Sequence, residues 1–178
     1  MAAKSPIDLF LVWWLRSGRY GWSRLRRRLF EGGYLSTPLP VVNSLDDVAA
    51  CLKQVTWTAD GLLHLYDSIS YPQRVWKTRK DDCDGFACLA AALLQRSGMS
   101  VRPVLVTAVV RPVKRAHTVC AFADQQGALR FFDNNVLRSE ASASYADIIR
   151  SISAGAKRLV CWDVREPEAF QLIEFHEA

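Results

Sequence analysis

The sequence predicts an α+β fold in which one strongly apolar helix packs on an antiparallel β-sheet, with extra helices at the amino terminus. Apolar residues recur at helical spacing in the first half of the chain, whereas the second half carries Val- and Thr-rich runs separated by turn residues. The composition agrees, since 178 residues that are 50% hydrophobic and 23% charged suffice for one domain with its own core. It also excludes a disordered, collagen-like or coiled-coil chain.

Residues 1–35 are predicted to be a basic, aromatic helical segment that precedes an α+β domain at 36–178. Residues 1–30 carry a net charge of +6, so the rest of the chain is close to neutral. Six aromatic side chains lie among these charges: Phe10, Trp13, Trp14, Tyr20, Trp22 and Phe30. Two interpretations stay open. Residues 1–30 bind an anionic surface, either membrane or nucleic acid, or they pack a Trp and Leu face on the domain and expose their arginines.

The sequence carries no signal for export or for crossing a membrane. The longest relevant apolar run, Leu9 to Leu15, has seven residues, whereas a membrane-spanning helix needs about 20. The arginines follow this run, whereas in a signal peptide they would precede it. Five cysteines without regular spacing favour a reducing compartment. We therefore expect a cytoplasmic protein, with peripheral membrane association as an option, and the sequence does not predict an oligomeric state.

Local signals predict the remaining elements. The strongest helix covers about 83–97, where an apolar stripe ends at Gly98, a residue typical of helix carboxyl termini. Residues 57–82 mix Pro72 with a run of charges and are expected to be mainly irregular. The other predicted helices cover about 45–56 and 144–152, and the predicted strands cover 101–110, 117–123, 128–134, 158–163 and 169–175.

Cys83 is the candidate nucleophile, because it begins the most clearly predicted helix and its neighbours in sequence are carboxylates, whereas a buried structural cysteine would have apolar neighbours. A thiol at a helix amino terminus faces backbone N–H groups and the positive end of the helix dipole, which favour the thiolate. The flanking Asp81, Asp82 and Asp84 act in the opposite direction unless they point outward or cap the helix. The other cysteines have the apolar settings of buried structural thiols: Cys51, Cys88, Cys120 and Cys161.

His117 is the candidate base for this thiol. The other two histidines, His64 and His176, have no evident partner in the sequence. Depending on where the turn of the following hairpin is centred, His117 lies opposite Asp133 or Asn134. Side chains alternate between the two faces of a strand, and an exposed Arg130 would leave Asp133 on the same inward face as His117. This favours Asp133 as the partner, and its carboxylate would hold the imidazole in one tautomer. A histidine that is merely satisfied in the core or at a sheet edge is the alternative interpretation.

Metal and nucleotide sites are not predicted. A zinc site would need four converging ligands, and the four candidates do not converge. Residues five apart on a helix, and residues three apart on a strand, point in different directions. Those four residues are Cys83, Cys88, His117 and Cys120. The acidic residues around Cys83 lack the spacing of an EF-hand, and no Gly-rich phosphate-binding motif is present.

Taken together, these residues resemble the transglutaminase-like cysteine peptidases, a superfamily distantly related to papain whose bacterial and phage members are the nearest likeness. The likeness covers about residues 70–136. It is carried by Trp76, Asp82-Cys83-Asp84-Gly85-Phe86-Ala87, His117-Thr118-Val119 and Phe132-Asp133-Asn134. Two positions depart from the family pattern. Asp81 stands where relatives often have glycine, and Gly85 stands where they often have an acidic or aromatic residue.

The resemblance implies a thiol enzyme that acts on amide bonds. Cys83 would be the nucleophile, His117 the general base and acid, and Asp133 the residue that orients the imidazole. The candidate donors to the oxyanion are the backbone N–H of Cys83 and the side chains of Trp76 and Gln73. No cofactor is implied. Calcium at Asp81, Asp82 and Asp84 is an alternative, because some bacterial relatives bind calcium near the site.

Hydrolysis of a protein or peptide substrate through a thioester is the expected reaction, because water is always present whereas an amine acceptor needs its own site. Two alternatives stay open. One is acyl transfer to an amine, as in transglutaminases. The other is a non-catalytic fold relative that acts as a binding or assembly module through its basic amino terminus. A protease, a deamidase and a peptidoglycan amidase would use the same three side chains, so the sequence does not predict the substrate.

Overall fold

The structure is a computed structural model that describes residues 5–59, 68–124 and 126–178. Its fold is α+β, as predicted, with most helices before the main sheet along the chain. The helices are α1 (Pro6–Trp13), α2 (Arg19–Phe30), α3 (Leu45–Leu52), α4 (Pro72–Thr78), α5 (Cys83–Arg96) and α6 (Tyr145–Ile152). The strands are β1 (Thr56–Trp57), β2 (Lys80–Asp81), β3 (Val104–Arg111), β4 (His117–Ala123), β5 (Leu129–Asp133), β6 (Val136–Ser142), β7 (Arg158–Arg165) and β8 (Leu172–Glu177).

The main sheet has six antiparallel strands in the order β6-β5-β4-β3-β7-β8. Successive residues of β3 face opposite sides. Leu105 and Val109 join the core beneath α5, whereas Val106 and Val110 pack with α6. The sheet is therefore covered by α5 on one face and by α6 on the other, and α5 is the helix of the candidate site.

The amino-terminal segment forms one unbroken helix from Pro6 to Phe30, here called the N-terminal helix. It comprises α1, a π-helical turn at Trp14–Gly18 and α2, and the backbone stays right-handed helical at both junctions. Ser5 and Asp8 form a capping box at its start. No helix of the described residues is long and apolar enough to cross a membrane.

The N-terminal helix agrees with the packed-helix interpretation only in part. Its buried face includes Arg19 and Arg27, whereas large apolar side chains such as Trp13, Leu25 and Leu29 are exposed. Arg27 is buried because its guanidinium donates hydrogen bonds to the carbonyl oxygens of residues 69 and 70, at 2.8 and 2.6 Å. Leu11 and Leu15 do pack inward, and Arg24 and Arg28 do face water, so the expectation that the arginines are exposed and the Trp and Leu face is buried holds for only part of the helix. The division of the chain at residue 35 stays a prediction.

Residues 57–82 are more regular than predicted, since they include α4 and β2. Pro72 occupies the first turn of α4, where its missing N–H breaks no helical hydrogen bond, so it starts the helix. The helix predicted at 45–56 ends earlier, at Leu52, because β1 begins at Thr56 and pairs with β2 in parallel. His64 lies outside the described residues.

The hairpin of β4 and β5 forms, but both predicted registers were wrong. Ala121 lies opposite Phe131, whereas the expected turn centres would have placed residue 129 or 130 there. The longer turn is stabilised by the carboxylate of Asp124, which accepts hydrogen bonds from two backbone N–H groups, those of residues 126 and 128. The observed register is displaced by two residues from the one that pairs His117 with Asp133. Each side chain of β5 therefore lies on the face of the sheet that this register predicted. β6, which was not predicted, adds the edge strand beyond β5.

Candidate active site

Cys83 is the first residue of α5. The helix begins there because Asp82 is its N-cap, with the carboxylate Oδ1 accepting the N–H of Asp84 at 3.0 Å. The Cys83 side chain is partly exposed, whereas the other four cysteines are buried. Burial raises the pKa of Cys88 to about 11 and also raises the pKa of Cys120. Cys83 is therefore the accessible thiol of this chain.

The carboxylates around Cys83 are buried, and each has a protein partner. Asp81 accepts a hydrogen bond from Arg74 at 3.0 Å, and Asp84 forms an ion pair with Arg19 of the N-terminal helix. Because Asp82 caps the helix, all three negative charges meet a cation or a backbone donor. Among the described residues, no cluster of three or more His, Cys, Asp and Glu side chains is arranged to hold a metal ion.

His117 and Asp133 meet at the open end of the β4–β5 hairpin. The His117 Nε2 and Asp133 Oδ1 atoms are 2.7 Å apart. The other carboxylate oxygen of Asp133 accepts a hydrogen bond from Arg138 of β6 at 2.6 Å. The hydrogen bond from His117, aided by Arg138, lowers the pKa of Asp133 to about 2. An ionised Asp133 can only accept, so Nε2 carries a proton, and in the neutral imidazole the lone pair is on Nδ1.

Cys83 and His117 line the same two cavities. The larger is a cleft of about 340 Å³, whose wall also includes Trp57, Lys114 and Asn134. The smaller holds about 40 Å³ and is largely apolar. Side chains of the N-terminal helix form part of its wall: Leu11, Trp14, Leu15 and Arg19. Cys83 and His117 thus share the walls of two cavities, and Asp133 is hydrogen-bonded to the imidazole.

The side chains proposed as oxyanion donors, Gln73 and Trp76, line neither of these cavities. Gln73 lines a separate cavity together with Arg27 and Cys88. The Trp76 ring is covered by the guanidinium of Arg79, whose central carbon lies 3.1 Å from the ring centroid. Both residues belong to α4, the helix that the sequence reading missed.

Two residues of the site region, Trp57 and Arg138, were not found by sequence reasoning, and Asn134 entered it only as the alternative partner of His117 and as part of the family likeness. Trp57 reaches the cleft because β1 pairs with β2, which places it beside Asp81 and close to the start of α5. Asn134 has a left-handed backbone (φ +52°), and its Oδ1 is buried without a hydrogen-bond partner among the described residues. Arg138 lies on the unpredicted β6. No local pattern marks Trp57 or Arg138, since both depend on strand pairing.

The third histidine, His176, lies away from this site. It is exposed on β8 and stacks on Trp162, with ring centroids 4.1 Å apart.

No protein-family model matches this chain, and no curated protein matches it in sequence.

Proposed function

We propose that this chain is a cysteine-dependent amide-bond hydrolase with a transglutaminase-like, papain-related core. Cys83 is the nucleophile, His117 the general base and acid, and Asp133 the orienting carboxylate. The observation that carries the proposal is the 2.7 Å hydrogen bond from His117 Nε2 to Asp133, because it leaves Nδ1 to act as the base and His117 lines the same cavities as the accessible Cys83. The alternative, a histidine with a purely structural role, gives no reason for His117 to line the same two cavities as Cys83.

The reaction begins when Nδ1 of His117 takes the thiol proton and Sγ of Cys83 attacks the carbonyl carbon of a carboxamide or peptide bond. The tetrahedral intermediate collapses to a thioester as the imidazolium gives its proton to the leaving amine. Water then attacks the thioester and loses a proton to Nδ1. The carboxylic acid leaves, and the thiol is regenerated. Throughout both halves, Asp133 keeps the Nε2 proton in place and stabilises the imidazolium.

The oxyanion of the tetrahedral intermediate needs hydrogen-bond donors near Cys83. The start of α5 directs backbone N–H groups and the positive end of its dipole toward this position. Trp57 lines the same cleft, and its indole N–H can only donate a hydrogen bond. We assign Trp57 this role in place of Gln73 and Trp76.

The charge of the cleft favours hydrolysis over acyl transfer. Lys114 and Arg115 are exposed on its wall, whereas its acidic wall residue, Asp82, is buried as the cap of α5. A protonated amine acceptor would approach these cations at an electrostatic cost that water does not meet.

The proposal is tested by incubating the folded chain with a peptide library and detecting both backbone cleavage and side-chain deamidation by mass spectrometry. We expect products with the wild type and a loss of at least a hundredfold with Cys83→Ala and with His117→Ala. His176→Ala is the matched control, because it removes an exposed imidazole elsewhere and should retain full activity. Products that persist in Cys83→Ala, or a wild type without any product, would contradict the proposal and favour the non-catalytic binding module.

A further inference from the structure

The outward face of the N-terminal helix carries exposed apolar side chains in both α1 and α2. In α1, Leu9, Phe10 and Trp13 are exposed, and in α2 the most exposed large apolar side chains are Leu29 at 63% and Phe30 at 71%. We call the following residues the outer face: Ile7, Leu9, Phe10, Trp13, Trp22, Leu25, Leu29 and Phe30. Isolated exposed apolar residues are ordinary, but eight on one helix, in a group on α1 and a group on α2, mark an interaction surface.

The outer face cannot be hidden by turning the helix over. Its opposite side carries charges that are satisfied only in the present orientation: Asp8 pairs with Arg111 and Arg158, and Arg19 pairs with Asp84. Rotation would leave these buried charges without partners, at a high cost in free energy. The exposure of the apolar residues is therefore fixed by the fold itself.

In α2 the outer face is a stripe with basic flanks. Trp22, Leu25 and Leu29 recur at helical spacing opposite the buried Tyr20, Ser23 and Arg27. At about 100° per residue, Arg24 and Arg28 lie on one side of the stripe and Arg26 lies on the other. Arg24 and Arg28 are exposed, and Arg26 is partly exposed.

We propose that the outer face docks on an anionic phospholipid bilayer, with the N-terminal helix parallel to the membrane plane. The leucines and aromatic rings would enter the boundary between headgroups and acyl chains, and the flanking arginines would contact lipid phosphates. Tryptophan suits this depth because its ring is apolar and its N–H is polar. This surface does not depend on the chemistry proposed for Cys83.

Charge and composition favour a bilayer over other occupants. A second copy of the chain would bring two sets of flanking arginines together, which like-charge repulsion opposes. Nucleic acid would use the arginines but would leave the apolar stripe in water. An anionic bilayer satisfies both parts of the surface at once.

The test is flotation of the full chain with vesicles of phosphatidylcholine, with and without phosphatidylglycerol. We expect binding to the phosphatidylglycerol vesicles and a loss of about tenfold or more in Leu25→Glu/Leu29→Glu. Ile173→Glu is the matched control, since Ile173 on β8 is 51% exposed and Leu25 is 49% exposed. Arg24→Gln/Arg28→Gln should weaken binding to anionic vesicles, and added salt should do the same. Circular dichroism confirms that each variant is folded.

Three results would overturn the proposal. The folded wild type fails to bind anionic vesicles at low salt. The double glutamate variant binds as well as Ile173→Glu does. Size-exclusion chromatography shows a wild-type dimer that Leu25→Glu/Leu29→Glu dissociates, in which case a second copy covers the outer face.

Discussion

At the scale of single residues, the side chain of Asp81 occupies the space that a side chain at position 85 would need. A Cβ at position 85 would overlap the carboxyl group of Asp81, which lies against the first turn of α5. These are the two positions at which the sequence departs from the family it resembles. The missing side chain of Gly85 therefore makes room for the Asp81 carboxyl group, which accepts a hydrogen bond from Arg74.

This contact predicts a rescue between two substitutions. Gly85→Ala should destabilise the protein by about 1–3 kcal/mol, the usual cost of forcing a methyl group into a filled site. Adding Asp81→Gly should recover a large part of that loss, because it removes the overlapping group. Denaturant unfolding of the wild type, both single variants and the double variant measures the coupling. Additive effects of the two substitutions would contradict this contact.

A second residue-scale prediction concerns the five thiols. Iodoacetamide should modify Cys83 at least tenfold faster than any other cysteine of the native chain, because Cys83 is accessible and lies at a helix amino terminus. The other thiols are buried, and burial raises the pKa values of Cys51, Cys88 and Cys120. Peptide mapping after brief alkylation gives the rates, with urea-unfolded protein as the control in which all five converge. Similar rates in the native chain would contradict the site.

Asp133 gives a third prediction, in which stability and activity separate. Its pKa of about 2 in the fold is below the usual 3.8, so its contribution is present above about pH 4 and is lost as the pH falls toward 2. Because the pair is partly solvated, Asp133→Asn should cost only about 1 kcal/mol at pH 6 and almost nothing near pH 2. It should lower kcat by a hundredfold or more, because an amide does not stabilise the imidazolium.

Denaturant unfolding of the wild type and Asp133→Asn between pH 6 and pH 2 checks the stability difference, and steady-state kinetics on a peptide found by the library screen checks kcat. A constant difference in stability across this pH range would show that the ionised carboxylate is not the stabilising form. An unchanged kcat would remove Asp133 from the site.

At the scale of elements, the segments that the sequence predicted best carry their own signals. α5 has an N-cap and a continuous apolar stripe, and β4 was predicted with its observed bounds, His117–Ala123. By contrast, the sequence does not predict α4, because Pro72 within a charged stretch is typical of irregular structure, whereas here it starts the helix. β6 was missed because an edge strand owes its conformation to its neighbour, and its sequence has no clear alternation.

The candidate site follows the same division. Cys83 and His117 begin well-predicted elements, so local patterns were enough to find them. The hydrogen bond between His117 and Asp133 forms although the register used to predict it was wrong. The observed register differs by two residues, and a displacement of two residues keeps each side chain on its predicted face of the strand. Trp57 and Arg138 come to the site only through strand pairing that no local pattern encodes. The sequence therefore predicts the groups proposed to react better than the groups around them.

At the scale of the whole molecule, buried polar contacts tie the N-terminal helix to the rest of the chain. The Tyr20 hydroxyl donates to Asp163 of β7 at 3.0 Å, and Arg165 of β7 donates to the carbonyl oxygen of Arg16 at 2.8 Å. Leu15 and Leu89 of α5 belong to one hydrophobic core. These contacts lead us to expect that residues 1–35 unfold together with residues 36–178.

Two neighbouring arginines test this expectation. Arg27→Met leaves two buried carbonyl oxygens without their donor and should destabilise the whole protein by about 2–4 kcal/mol. Arg28→Met is the matched control, because Arg28 is exposed on the same helix and its loss should change stability by no more than about 0.5 kcal/mol. Calorimetry should show one transition in each variant, at a Tm several degrees lower for Arg27→Met. If the N-terminal helix were an independent unit, Arg27→Met would instead produce a separate early transition and leave the main one in place.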